Sequence, residues 1–79
     1  MTKYMLISVF EREIVTEMFN TFETAQAQMI RELQTEVDKM YAGIILTEPS
    51  VEDREEFGYG NGWAWSNVRD LCDWKIVEV

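Results

Sequence analysis

Histidine is absent from this 79-residue sequence, and cysteine occurs only once, as Cys72. Without histidine, neither a Ser-His-Asp triad nor a Cys-His pair can form, and zinc would have only Cys72 and carboxylates as ligands. A single cysteine also excludes an internal disulfide, which fits a reducing compartment. We expect Cys72 to be a small hydrophobic residue in or beside the core rather than a nucleophile. These absences favour a protein that is not an enzyme and that uses no cofactor or metal.

Basic residues are also few. Seven lysines and arginines stand against fifteen aspartates and glutamates, which gives a formal charge of -8. This charge opposes direct binding to nucleic acid or to an anionic membrane, and it favours a basic protein partner. Solubility is an alternative reason for the same charge. The apolar run at residues 4–10 is too short for a signal peptide core or a membrane span, so we expect a cytoplasmic protein.

The pattern of apolar residues predicts a single α+β domain over residues 1–79. We expect a small, mainly antiparallel sheet with one long helix across one face, in the approximate order β-β-α-β-β. Residues 4–10 read as a central strand with Met5, Ile7 and Val9 on one of its faces. Residues 13–19 could form the second arm of a hairpin, although their spacing also fits a helix.

A helix is predicted from about residue 21 to about residue 41, because apolar side chains recur there at three- and four-residue steps. Asn20 is the expected N-cap, with Glu23 completing a capping box, and Gly43 is the expected left-handed stop. Such a helix would be about 31 Å long, whereas a four-stranded sheet is only about 19 Å wide. We therefore expect the helix to overhang the sheet and to need cover from the tryptophan segment or from another chain.

The carboxy-terminal part holds an acidic segment and all three tryptophans. Residues 47–57 contain five acidic residues and one arginine, and they read as a surface loop with a little helix after Pro49. Residues 44–46 read as a short strand or a buried linker. Asn61-Gly62 predicts a type I′ hairpin turn, and residues 63–65 and 73–79 read as strands.

The acidic loop does not match a known catalytic or metal-binding pattern. Its carboxylates could supply an acid and a base, but a chain this small rarely builds the deep cleft that such chemistry needs. The order of the acids also lacks the alternation and the central glycine of an EF-hand loop. Gly58, Gly60 and Gly62 do not follow the spacing of a phosphate-binding loop and are expected to be turn residues.

Trp63 and Trp65 lie two residues apart, so they should share one face of a strand. Packing against the helix is the simpler expectation, since three tryptophans are a large part of what a small domain can bury. The functional alternative is that exposed tryptophans anchor a protein partner beside the acidic loop. The predicted partner-binding residues are Glu48, Glu52, Asp53, Glu55, Glu56, Trp63 and Trp65.

Residues 4–10, the segment Phe19-Asn20-Thr21-Phe22-Glu23-Thr24-Ala25 and residues 73–79 together form a pattern that resembles small acidic proteins of phages and mobile elements of Gram-positive bacteria. The resemblance includes no functional motif, so it assigns no site residue. Some proteins of similar size and charge, including certain anti-CRISPR proteins, bind nucleic-acid-handling enzymes. The resulting expectation is a noncatalytic acidic module that docks on a basic nucleic-acid-handling protein.

The alternative expectation is a homo-oligomeric structural or accessory protein. It would bury its helix end and its tryptophan face against a second copy, as a homodimer with a two-fold axis. A domain of this size gains stability from a second copy, because it buries little more than half of its unfolded surface on its own.

Overall fold

The computed structural model describes residues 2–41, 43, 46 and 56–79, which form one helix and five strands. The elements are β1 (Tyr4–Phe10), β2 (Glu13–Phe19), α1 (Phe22–Asp38), β3 (Phe57–Gly60), β4 (Trp63–Ser66) and β5 (Cys72–Glu78). All neighbouring strands are antiparallel, and the sheet order β2-β1-β5-β4-β3 places β5 at its centre. The predicted α+β class and the order β-β-α-β-β are confirmed, and the hairpin before Trp63 contributes one further strand, β3.

The first hairpin joins β1 to β2, so residues 13–19 form a strand rather than a helix. Tyr4 pairs with Phe19 at the open end and Phe10 pairs with Glu13 beside the turn. The two-residue turn requires a left-handed residue, and Glu11 takes that conformation with φ 54°. β2 is an edge strand whose side chains are exposed along almost its whole length, which explains its weaker apolar alternation.

The helix begins and ends at different residues from those predicted. Thr21, not Asn20, is the N-cap: its backbone is extended, and its hydroxyl accepts a hydrogen bond from the backbone N–H of Thr24 at 3.2 Å. The last helical residue is Asp38, so Gly43 lies beyond the helix end, although its φ of 87° is left-handed as expected.

The shorter helix removes the length excess on which the predicted overhang was based. Seventeen residues span about 25 Å, close to the width of about 24 Å for five strands. Val37, which was expected to need outside cover, is fully buried in the core, and Tyr41 packs against that core. Met40 follows the helix and is exposed.

The core lies between α1 and one face of the sheet, which we call the inner face. It consists of Leu6, Met29, Leu33, Val37, Leu46, Phe57, Tyr59, Ala64, Cys72 and Trp74. Successive side chains of a strand point to opposite faces, so the neighbours of these strand residues point away from the helix. We call this second face the open face, because none of the described helices or strands covers it.

Two further predictions concern the connections. The turn at Asn61-Gly62 is not type I′, since that type needs positive φ at both residues and only Gly62 has it, at 80°. The sign pattern is that of a type II turn. The predicted loop and short helix at residues 47–55 lie outside the described residues, as do residues 44–45, whereas Leu46 is buried and donates its N–H to Gln34 Oε1 at 2.9 Å.

Candidate functional site

The open face presents three rows of side chains that run across the strands. The antiparallel register places Cα partners side by side, so each row contains one residue from each strand that reaches it. The first row is Ile14, Val9, Asp73, Trp65 and Gly58; the second is Thr16, Ile7, Lys75, Trp63 and Gly60; the third is Met18, Met5 and Val77. Ile14 is 70% exposed, Met18 49% and Trp63 41%. An apolar surface with such large exposed side chains is typical of an interaction site.

Trp63 and Trp65 share the open face, as their spacing predicted, and each lies against a glycine of β3. Trp63 pairs with Gly60 and Trp65 with Gly58. A Cβ atom on Gly60 would lie 2.5 Å from Trp63 Nε1, and one on Gly58 would lie 2.9 Å from Trp65 Nε1. The prediction that Gly58 and Gly60 are turn residues is therefore wrong. They are strand residues whose missing side chains make room for the two indoles.

Gln26 of α1 fixes the hairpin that carries the tryptophans. Its side-chain N–H donates to the carbonyl of Gly60 at 3.0 Å, and its Oε1 accepts the N–H of Gly62 at 2.9 Å. One amide side chain thus bonds to both sides of the turn before Trp63. The helix, although it lies on the inner face, therefore helps to position a side chain of the open face.

A groove of about 370 Å³ lies on the open face beside the tryptophans. Ile7 and Val9 provide apolar lining, and Asp73 and Lys75 bring one carboxylate and one ammonium group to it. These two are the charged side chains that the described strands place on the open face, and no ion pair joins either to another described residue. The groove can therefore receive an apolar group together with charges of both signs.

Trp74 is separate from the other two tryptophans, because it points to the inner face. It is 2% exposed, its ring meets Phe10 edge to face, and its Nε1 donates to Glu32 Oε1 at 3.1 Å. Core packing against the helix therefore holds for Trp74. Trp63 and Trp65 lie on the opposite side of the sheet, so the simpler expectation, that they also pack against the helix, is wrong.

Glu32 is a residue whose role the sequence analysis missed. Besides the Trp74 indole, its carboxylate accepts from Ser8 Oγ at 3.1 Å and from Gln28 Nε2 at 2.9 Å. The signal was its position three residues after Met29, which is the spacing of the buried stripe. Glu36 repeats this spacing after Leu33 and is likewise turned inward, at 7% exposure.

Cys72 is buried, as predicted, and its environment keeps the thiol protonated. Burial and the neighbouring Glu36 carboxylate together raise the pKa of Cys72 to about 11. The Sγ atom lies 3.7 Å from Glu36 Oε1 and donates a weak hydrogen bond to it. A thiol in this state is neither a good nucleophile nor a metal ligand.

We expect native Cys72 to react with a thiol reagent at pH 8 at least about 100-fold more slowly than the unfolded chain does. The raised pKa also predicts a pH effect on stability. The contribution of the protonated thiol is complete below pH 9.0 and is lost as the pH rises through about 11. Cys72→Ala should lack this alkaline decline in urea unfolding. Equal reaction rates for the native and unfolded chains would contradict this account.

Of the five predicted acidic partner-binding residues, Glu56 alone lies in the described part of the chain. Glu48, Glu52, Asp53 and Glu55 lie outside the described residues. Glu56 is half-buried, and its carboxylate accepts a hydrogen bond from the Tyr41 hydroxyl, so it has a structural contact.

Among residues 2–41, 43, 46 and 56–79, no group of three potential ligands could hold a metal ion. No helix in the same part of the chain is long and apolar enough to cross a membrane. No protein-family model, curated protein or solved structure matches the chain.

Proposed function

We propose that this chain is a noncatalytic protein-binding module and that the open face of its sheet is the binding surface. One observation carries the proposal: α1 covers the inner face, whereas the opposite face presents Trp63, Trp65 and a set of aliphatic side chains around a groove. Tryptophan is among the residues that contribute most to binding at protein interfaces.

The charges of this face favour a protein over a nucleic acid. A platform that stacks nucleobases needs basic residues to hold the phosphates. Lys75 is the basic residue that the described strands place on the open face, and Asp73 lies two residues away on the same strand. With a formal charge of -8 on the whole chain, contact with phosphates would be unfavourable.

The acidic surroundings favour a basic protein as the partner. The open face itself is close to neutral, so the negative charge is concentrated on the rest of the molecule. Charge complementarity of this kind speeds encounter and selects among partners. Glu48, Glu52, Asp53 and Glu55 are included in this proposal as the acidic residues that would meet such a partner. We propose that this basic partner is a nucleic-acid-handling protein, in line with the resemblance of the chain to small acidic phage proteins.

Site-specific photocrosslinking in cells of the native host tests the proposed surface. A benzophenone amino acid replaces Thr16, which is exposed on the open face, or Thr35, which is exposed on the helix and serves as the matched control. We expect light-dependent protein adducts from position 16 and few from position 35. If the adduct contains a different protein, we expect that protein to be basic. Absence of adducts at position 16, or equal amounts at both positions, would refute the open face as the binding surface.

A further inference from the structure

We propose that the open face binds the open face of a second copy of this chain, in a dimer with a two-fold axis. This inference rests on the proposed function, because it concerns the same binding surface, but it names a second copy as the occupant in place of the basic protein proposed above. The argument comes from the position of Asp73 and Lys75, from the residues that the axis would bring together, and from the size of the face.

The register of the sheet defines where the axis would lie. Asp73 and Lys75 flank Trp74 on β5, the central strand of five. We place the two-fold axis midway between two packed sheets, parallel to them and perpendicular to the strands, at the level of Trp74. Rotation about this axis lays β5 of one copy over β5 of the other with the strand direction reversed. It therefore places Asp73 of one copy opposite Lys75 of the other, and the reverse pair forms on the other side of the axis.

The same axis sets the whole first row of one copy against the second row of the other. Trp65 then faces Trp63 of the second copy, and Val9 faces Ile7. Gly58 faces Gly60, and Ile14 faces Thr16. Aromatic residues meet at the tryptophan contact and aliphatic residues meet at the contact of Val9 with Ile7, while Ile14 meets the uncharged Thr16. No charge on these rows is therefore buried against an apolar side chain.

Charge explains why a second copy fits better than a chance apolar surface. Two chains of formal charge -8 repel each other. Each open face, however, carries one negative and one positive charge close to the axis. Neither Asp73 nor Lys75 forms an ion pair with another described residue of its own chain. In the dimer each gains an oppositely charged partner, whereas a face with charges of one sign would repel its copy.

The size of the face also suits a dimer. Three strands of seven residues and two of four residues, each about 4.8 Å wide, give a projected area of about 460 Å². The side chains that protrude from it raise the accessible area. Specific interfaces bury roughly 600 to 1,000 Å² on each partner. Two sheets packed in this way leave both helices on the outside of the dimer.

The test uses two charge reversals in the full chain, Asp73→Lys and Lys75→Asp, in sedimentation equilibrium from about 1 to 100 μM. The wild-type chain should be a dimer. Each variant alone carries like charges next to the axis, and we expect its dissociation constant to rise at least about 100-fold. An equimolar mixture of the two variants should form a dimer again, because two lysines then face two aspartates. That mixture has the same total charge as two wild-type chains, so net charge cannot explain the recovery.

Circular dichroism of each variant establishes that the fold is retained, and recovery in the mixture would itself require folded chains. A monomeric wild-type chain at 100 μM would overturn the inference, as would a mixture that remains monomeric. Neither result touches the proposed function if photocrosslinking at position 16 joins the chain to a different protein. Loss of all adducts at that position would remove the proposed function and the inference together.

Discussion

Replacing Trp74 with alanine is expected to lower the free energy of unfolding by about 3–5 kcal/mol. Trp74 is nearly fully buried, packs edge to face on Phe10, and bonds to Glu32 through its indole N–H. Removing the ring would leave a large cavity under the helix. Natural domains of this length have a total stability of about 4–12 kcal/mol, so a substantial part of the population should unfold. Urea unfolding followed by circular dichroism measures the loss.

Trp63→Ala is the matched control for this prediction. The Trp63 side chain has the same volume as that of Trp74, but it lies on the open face and is 41% exposed. We expect a loss of about 1 kcal/mol, from its contact with Gly60. Both changes are best made in the Lys75→Asp background, since association of two copies would otherwise add to the measured stability. Equal losses for Trp63→Ala and Trp74→Ala would mean that the two rings do not differ in burial as the structure shows.

The sequence predicted the sheet and helix because their patterns are local. β1 is an unbroken run rich in β-favouring side chains, and its predicted bounds agree with those in the structure. The helix start was displaced by one residue because Asn20 and Thr21 are both good N-caps, and only the backbone path out of β2 decides between them. The helix end was placed too late because Met40 continues the apolar spacing although it is exposed.

The open face was not predicted, although one of its features was. Spacing alone placed Trp63 and Trp65 on one side of a strand, but local sequence does not tell which side a helix covers. The structure buries the small residues between and after them, Ala64 and Ser66, and leaves Trp63 exposed and Trp65 half-buried on the open face. This is the reverse of the usual expectation that large apolar residues are the buried ones.

A signal for this arrangement exists in the sequence. A two-residue turn at Asn61-Gly62 fixes the register of the second hairpin, which pairs Gly60 with Trp63 and then Gly58 with Trp65. Two glycines opposite two tryptophans indicate close contact between indole rings and backbone rather than a set of turns. The charges of Asp73 and Lys75 on β5 become informative only after the sheet order is known. The local sequence of a strand does not show whether that strand lies at the centre of the sheet.

The second large effect is expected at Glu32: Glu32→Ala should lower the free energy of unfolding by about 2–6 kcal/mol. The carboxylate accepts hydrogen bonds from Ser8, Gln28 and Trp74, and two of these donors lie on buried residues of the sheet. Alanine would leave the Ser8 hydroxyl and the Trp74 indole N–H without this acceptor, at about 1–3 kcal/mol for each buried donor. Urea unfolding of the variant measures the loss.

Glu32→Gln should cost only about 1 kcal/mol, because an amide oxygen can still accept from Trp74 and Ser8 but without a full charge. In a Trp74→Phe background the indole donor is gone, so Glu32→Ala should cost about 1 kcal/mol less than in the wild type. Thr35→Ala, on the exposed side of the same helix, should change stability by no more than about 0.5 kcal/mol. If Glu32→Ala were as mild as Thr35→Ala, the carboxylate would not hold α1 to the sheet. The buried stripe of the helix would then be stabilised by its apolar side chains alone.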